Sequence, residues 1–567
     1  MPVGGAEFAA ASPFARGNAR SGTAMMAASP AATALAMSDL SADQLHAGQG
    51  TDPGGSRSKA PNADGLGRRI ALSAAIMIGT RLAIRAISVV STLLLVRLLV
   101  SADFGLVALA GASFTIIELL TSINIGLALV RARDPDPTLY DTAWTLQILR
   151  GVGLAAIVVI TSGLQADLLG DARVQPLLCT VALTVVLDSF TSIGMAKLQR
   201  EMRFDRIFRQ LLLAKVSAFL ICILLAWLYQ NYWCLVLGNL AAKLATVPYS
   251  YWLAPHRPRL SLKGARELLN FSKWMMAFNA CLVTDDQAPI LGLGHFAGLG
   301  ALGLYQVAYQ VAAVPVTEIA VPIRSPVYAG LANAYHDAAR LRAHVLAGFG
   351  FMAAIVTPMS VGLALVAPEL APLALGEKWA DAGPLMALCA LYALVDALSQ
   401  YSFNVFIVLG RQGRQVLTYL GFLALRVPLV LYGAQSQGAL GVAAALFLTG
   451  IVGTLVWNFQ MIRLIGACVG QWWGEIWRTL AAASAMSACL LSLGAWSGVT
   501  EPVTAAAAWP RLLLYIPAGG LVHVATQVAL WSFAGRPEGP EARALRMVAG
   551  ALQRLRSVLS RRSPVSA

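Results

Sequence analysis

Arg81 and Arg85, two arginines four residues apart inside an apolar run, are the side chains in this sequence with the most chemistry to offer. In a helix that spacing puts both guanidinium groups on one face. Counted from Ile70, Arg81 lies about 16 Å and Arg85 about 22 Å along a helix rising 1.5 Å per residue. An ionised side chain at mid-bilayer costs at least about 2.5–3.5 kcal/mol, so one that persists there marks a functional site by default. Arginine keeps its charge and offers a fork matched to phosphate oxygens, and two such groups opening into a watered cavity would hold a phosphate-bearing headgroup. The competing expectation is a pair neutralised by acids on neighbouring helices. Six acids stand in apolar runs: Glu118, Asp188, Asp285, Asp286, Glu318 and Asp396. A buried carboxylate can exchange a proton or help hold Na+ during a transport cycle. It can equally form a fixed salt bridge to Arg81, Arg85, Arg324 or Arg426. Asp285 and Asp286 point about 100° apart on a helix, so only one is expected to face a cavity. Lys215 and Lys243 lie nearer the helix ends, where snorkelling accounts for them. His295, His523 and the seven cysteines show no metal-ligand spacing, and no metal site is expected.

The elements that must position these charges are membrane helices. The chain is 57% hydrophobic and only 12% charged, with a mean hydropathy of +0.67, whereas soluble domains are closer to about a quarter charged. The predicted spans are 70–96, 104–130, 143–163, 174–196, 211–229, 232–253, 274–294, 300–323, 345–367, 383–410, 416–433, 438–462, 476–498 and 508–533. Apolar runs of this length must be helices, since barrel strands would alternate over about 10 residues. The fold class is therefore an all-α polytopic membrane protein with about 14 transmembrane helices. Residues 1–66, rich in Ala, Ser, Gly and Pro, form an N-terminal extension expected to be disordered. Residues 536–567 form a basic tail.

Lys and Arg alternate between rich and poor loops. The rich ones include Arg131 and Arg133, Lys197 to Arg209, Arg257 to Lys273, Arg340 and Arg342, and Arg411 and Arg414; the poor ones offer little beyond Arg97, Arg173 and Lys378. Cations are retained on the cytoplasmic side during insertion, which places both termini in the cytoplasm. The same placement beside apolar runs assigns the net charge of +14 to lipid headgroups and excludes a nucleic-acid partner.

A repeat underlies the spans. Ser101-Ala102-Asp103-Phe104-Gly105-Leu106 and Gly300-Ala301-Leu302-Gly303-Leu304-Tyr305 each follow a spanning run and precede an acid, Glu118 or Glu318. Six crossings separate them, as for parallel repeats about an axis along the membrane normal, with a cavity between two bundles. Pro315, Pro322, Pro326, Pro358 and Pro428 would kink their helices. There is no GxxxxGK[ST], GxSxG or HExxH, and the longest poor loop, near 368–382, is too short for a catalytic domain. Neither a catalytic residue nor a cofactor is expected.

The stretch LLLVRLLVSADFGLVALAGASFTIIELLTSINIGLALVRARD, followed by LYDTAWTLQILRG, resembles the polysaccharide biosynthesis proteins that flip undecaprenyl-diphosphate-linked oligosaccharide. These belong to the multidrug, oligosaccharidyl-lipid and polysaccharide (MOP) exporter superfamily. FSKWMMAFNACLVTDDQAPILG and ALGLYQVAYQVAAVPVTEIAVPIRSPVYAGLA are similar to the start of the family's second half, and the resemblance runs from residue 70 to about 460. It implies two six-helix bundles in a V, at 70–253 and 274–462, with two additional helices within 476–533. It also implies translocation of a lipid-diphosphate-sugar by alternating access in the bacterial inner membrane, for exopolysaccharide, capsule or O-antigen. The diphosphate would fall on Arg81 and Arg85, with Arg324 and Arg426 as further cations. Glu118, Asp188, Asp285, Asp286, Glu318 and Asp396 would serve H+ or Na+ coupling or pair with those cations. Membrane lipids, a polysaccharide polymerase and other assembly proteins are the implied partners. Two alternatives stand beside this reading, a cation-coupled exporter of small amphipathic compounds and a membrane glycan polymerase or ligase.

Overall fold

Fourteen helices in chain order carry the described part of the molecule, a computed structural model that describes residues 79, 83–120, 136–201, 203–263, 265, 273–314, 316–317, 337–409, 412–496, 505–537, 539–543 and 545–546. Arg81, Glu318, Arg324, Pro315, Pro322, Pro326, the segment 1–66 and most of the basic tail lie outside those residues. The helices are α1 (83–98), α2 (Ser101–Leu120), α3 (Pro137–Leu169), α4 (Val174–Ser189), α5 (Gly194–Arg200), α6 (Phe204–Tyr229) and α7 (Trp233–Leu253), then α8 (Lys273–Phe296), α9 (Gly298–Ala312), α10 (Ala338–Leu375), α11 (Ala382–Val408), α12 (Gln412–Leu464), α13 (Val469–Trp496) and α14 (Ala505–Phe533). No strand occurs among the described residues. Among the described residues eight helices are long and apolar enough to cross a membrane, and the chain is a multi-pass membrane protein.

Helix ends follow local chemistry. Pro137 opens α3, where its missing N–H costs nothing, and Gly170 closes it at φ 72° with its N–H turned back onto Ala166 and Asp167 carbonyls. Asp337 caps α10 by accepting from the Ala339 and Arg340 N–H groups at 3.0 and 3.1 Å. The long α12 is two antiparallel arms. Gly438 has φ 59° and ψ −133°, and a Cβ at Gly433 would lie 2.5 Å from the Gly441 carbonyl oxygen. A continuous helix would set those residues about 12 Å apart. The chain therefore folds back at Gly438, and Thr418 meets Gln460 across the arms.

The helices pack in two groups. In the first, α3 packs on α4, α6 on α7, and α4 on both α2 and α7; in the second, α10 packs on α11, and α12 on both α11 and α8, with α9 against α11. Lipid gives apolar side chains no hydrophobic drive to associate, so close packing carries the interfaces and small residues admit it. The groups meet chiefly through α2 against α8 and α9. At that crossing the contact is reciprocal: a Cβ on Gly105 would lie 2.0 Å from the Leu299 carbonyl oxygen, and one on Gly303 would lie 1.7 Å from that of Ser101. Each glycine faces the residue four positions before the other. A local two-fold relation thus passes between the two sequence repeats, with backbone against backbone.

At the opposite end, the segment after α7 runs back along the start of α3. Asp141 accepts from the Arg259 N–H and meets His256 Nε2 at 3.1 Å, Thr142 Oγ1 donates to the Lys263 carbonyl at 2.7 Å, and Thr145 accepts from the Ser261 N–H. The DTAWT motif is thereby a fastening for the connection between the groups. The α13–α14 hairpin packs on α10. Its buried Arg478 holds Glu541 of the following segment at 2.8 and 3.2 Å, which ties the chain after α14 to α13.

Candidate functional site

The described intramembrane charges fall into two sets, one in each helix group. In the first, Arg85 is half-buried on α1. Glu118 on α2 faces Arg150 on α3 at 3.4 Å, and Asp188 on α4 faces Lys243 on α7 at 2.6 Å. The partner of Glu118 is thus Arg150, a cation inside a predicted span that sequence reasoning passed over; its only signal was a charge beside Gly151 in an otherwise apolar run. Lys243, expected to snorkel, is held by a carboxylate instead. These pairs are partly exposed, and such pairs contribute about 0–1 kcal/mol.

The second set is buried. Arg426, on the first arm of α12 and 4% exposed, donates through Nη1 to both carboxylate oxygens of Asp285 on α8 at 2.9 and 2.7 Å. Its Nε donates to Thr449 Oγ1 on the second arm at 3.2 Å, its guanidinium lies 4.3 Å from the centre of the Phe422 ring, and Tyr419 OH donates to Asp285 at 2.8 Å. Taking two ions out of water is repaid only when their remaining donors and acceptors are met, and here they largely are. Asp286, the next residue, is exposed, as the rotation of about 100° per residue requires. It lies within electrostatic reach of Asp285, Asp396 and Arg426. Asp396 on α11 is half-buried and accepts from Gln400 at 2.7 Å. Three carboxylates therefore surround one guanidinium, an arrangement able to take up a further cation or proton. Among the described residues no group of side chains has metal-ligand geometry.

A third arrangement was not foreseen. The last carbonyls of α1 receive donors from the turn between α10 and α11: Trp379 Nε1 to Val96 at 3.0 Å, and Lys378 Nζ to Arg97 and Leu99 at 3.0 and 2.7 Å. In return Arg97 Nη2 donates to the Leu373 carbonyl at 3.3 Å, and Phe104 meets Trp379 edge to face at 6.1 Å. Carbonyls at a helix C-terminus lack intrahelical donors, and a cation there is worth about 0.3–1 kcal/mol when exposed. Arg173, the remaining cation of the poor loops, chelates Asp171 and holds its carboxyl below the ordinary range. Each cation that departs from the loop alternation thus has a local partner.

The family described as polysaccharide biosynthesis protein matches residues 94–384, which contain α2 to α10 and the Gly105–Gly303 crossing. The chain belongs to this family. Among its relatives, the lipopolysaccharide biosynthesis protein WzxC of Escherichia coli (strain K12) is 23% identical over 386 residues, covering 67% of this chain and 78% of the relative. The teichuronic acid biosynthesis protein TuaB of Bacillus subtilis (strain 168) is 22% identical over 364 residues, covering 63% and 72%. Among solved structures, the lipid II flippase MurJ in an inward closed conformation has a TM-score of 0.62 at 12% identity, covering 81% of this chain and all of that one. A multidrug resistance MATE family transporter of the MOP superfamily, inward-facing, has a TM-score of 0.53 at 15% identity, covering 67% and 94%. At these identities the two structures establish the fold alone.

Proposed function

We propose that this protein is a transporter, not an enzyme, and that it moves undecaprenyl-diphosphate-linked oligosaccharide from the cytoplasmic to the outer leaflet of the bacterial inner membrane by alternating access. The reading is carried by one conjunction: membership of a polysaccharide biosynthesis family on a fold of two helix groups clamped together at one end. The relatives named above supply lipopolysaccharide and teichuronic acid synthesis, and a further relative from Rhizobium meliloti (strain 1021), 24% identical over 301 residues, is named a succinoglycan biosynthesis transport protein. The polymerase and assembly proteins that consume the exported glycan are the partners this reading entails. In it, the clamped end faces outward and both termini lie in the cytoplasm, where the cation-rich loops would place them.

The diphosphate is assigned to the first helix group, where Arg85 stands on α1 beside Arg81 in sequence and Arg150 and Lys243 add cations. Arg324 and Arg426 are the further cations of the second group. Arg426 reaches the substrate only if Asp285 releases it. The coupling ion, H+ or Na+, is assigned to the same group, at Asp286 and Asp396, with Asp285 as the counter-ion of Arg426; Glu118 and Asp188 act as ion-pair partners, and Glu318 lies outside the described residues. This acid-rich centre is also what a small-molecule exporter would use, and family membership decides for the glycan. The test replaces the resident gene with Arg85→Ala. Surface polysaccharide is expected to disappear while protein abundance in the membrane stays at the parent level, and undiminished glycan in that strain would refute the diphosphate role.

A further inference from the structure

We propose that the turn Glu377–Trp379 is a lock between the two helix groups: its Lys378 ammonium and Trp379 indole hold the end of α1, and their release from the Val96, Arg97 and Leu99 carbonyls opens the clamped end. The inference rests on the two groups moving against one another, as in the transport reading, but on no property of the substrate.

Four features make this contact a lock rather than permanent packing. First, the bonds all join one group to the other: α1, whose Leu95 and adjoining Leu99 share a buried cluster with Cys222 of α6 and Cys234 of α7, stands on one side and the α10–α11 turn on the other, with Arg97 returning a bond to Leu373. Second, the acceptors are carbonyls past the last complete turn of a helix, which water can satisfy once the donors leave, so α1 need not unravel when the contact parts. By contrast, the Asp285–Arg426 pair lies wholly within the second group and does not bridge the two. Third, the adjoining Gly105–Gly303 crossing brings bare backbones together. At the crossing itself no side chain has to be withdrawn for the backbones to part; beside it, Leu109 of α2 is seated over Gly294 of α8. Fourth, the lock explains an anomaly of charge. Arg97 and Lys378 sit in the loops that topology keeps poor in cations, and both spend their donors across this interface.

The experiment uses the full chain in lipid nanodiscs. Ser101 Oγ lies 3.9 Å from the place a Cβ would occupy at Gly300, so the pair Ser101→Cys and Gly300→Cys reports closure through its yield of oxidised cross-link, read by peptide mass spectrometry. Lys378→Met added to that pair is expected to lower the yield at least about five-fold, the effect of losing even one of its two hydrogen bonds. Trp379→Phe keeps an aromatic ring but removes the indole N–H together with part of the buried volume, and is expected to lower the yield in the same direction; it serves if Lys378→Met fails to insert. Lys378→Arg, which still donates, should retain the parent yield. Cross-linking at the parent level in both Lys378→Met and Trp379→Phe would overturn the lock. The readout contains no glycan, so a failed Arg85 test leaves it untouched, and the converse holds.

Discussion

Arg426 shows how far a residue can be read in isolation. Its type and its place in an apolar run mark it as a charge that needs a reason, and the same is true of Asp285; that each is the other's reason appears only when α8 lies against α12. Removing one partner strands the other in a dry interior. Arg426→Met is expected to destabilise the protein by about 3–5 kcal/mol, whereas combining it with Asp285→Leu should restore most of that loss, since an apolar pair of similar volume is often neutral. Thermal unfolding of the purified protein, followed by tryptophan fluorescence, checks both. A single variant as stable as the parent would mean that the pair is already wet. Asp286 separates from its neighbour for a reason legible in the sequence, the helical rotation, while the Glu118–Arg150 pair was not legible because nothing in a one-dimensional string relates α2 to α3.

At the scale of the element, apolar run length pointed to membrane helices because bilayer thickness imposes it, and eight of the described helices are long and apolar enough to cross. The turn at Gly438 divides α12 where the sequence reading separates 416–433 from 438–462, since a positive φ suits glycine there. The glycines of the helix crossings were less legible; Gly105 and Gly421 look alike in the sequence. Gly105→Ala would drive a Cβ into the Leu299 carbonyl and is expected to cost about 1–3 kcal/mol of overpacking and to lower the Ser101–Gly300 cross-link yield. Gly421→Ala meets nothing within 4 Å and should be neutral or stabilising by up to about 1 kcal/mol. Equal thermal midpoints for the two variants would show that the crossing has room that the geometry denies. The DTAWT motif belongs to this scale as well: its residues look like part of a spanning face, yet Asp141, Thr142 and Thr145 hold the connection between the helix groups.

The whole molecule distributes charge unevenly. Among the described residues, the intramembrane part of the first group carries Arg85, Arg150, Lys215 and Lys243 against Glu118 and Asp188, and the second carries Asp285, Asp286 and Asp396 against Arg426. The proposed transport cycle would set an anionic lipid headgroup against the former and a coupling cation against the latter. Orientation is also a property of the whole, because each loop's side follows from every crossing before it. Green fluorescent protein fused after Ala567 is expected to fluoresce, and alkaline phosphatase inserted at the Gly170–Asp171 turn is expected to be active. The reverse pattern would place the clamped end, and its lock, on the cytoplasmic face.

The sequence by itself determined that this is a helical membrane protein, and its motifs pointed to the family that it belongs to. Those properties are written locally: hydrocarbon demands unbroken apolar helices, and a motif is a contiguous run of letters. Only the tertiary structure decided which charges neutralise one another, where the two helix groups touch, and that Lys378 and Trp379 cap α1 from about 280 positions away in the chain. Those depend on distances between helices that no local pattern encodes, because in lipid the packing partner is chosen by fit of small surfaces and by unsatisfied polar atoms.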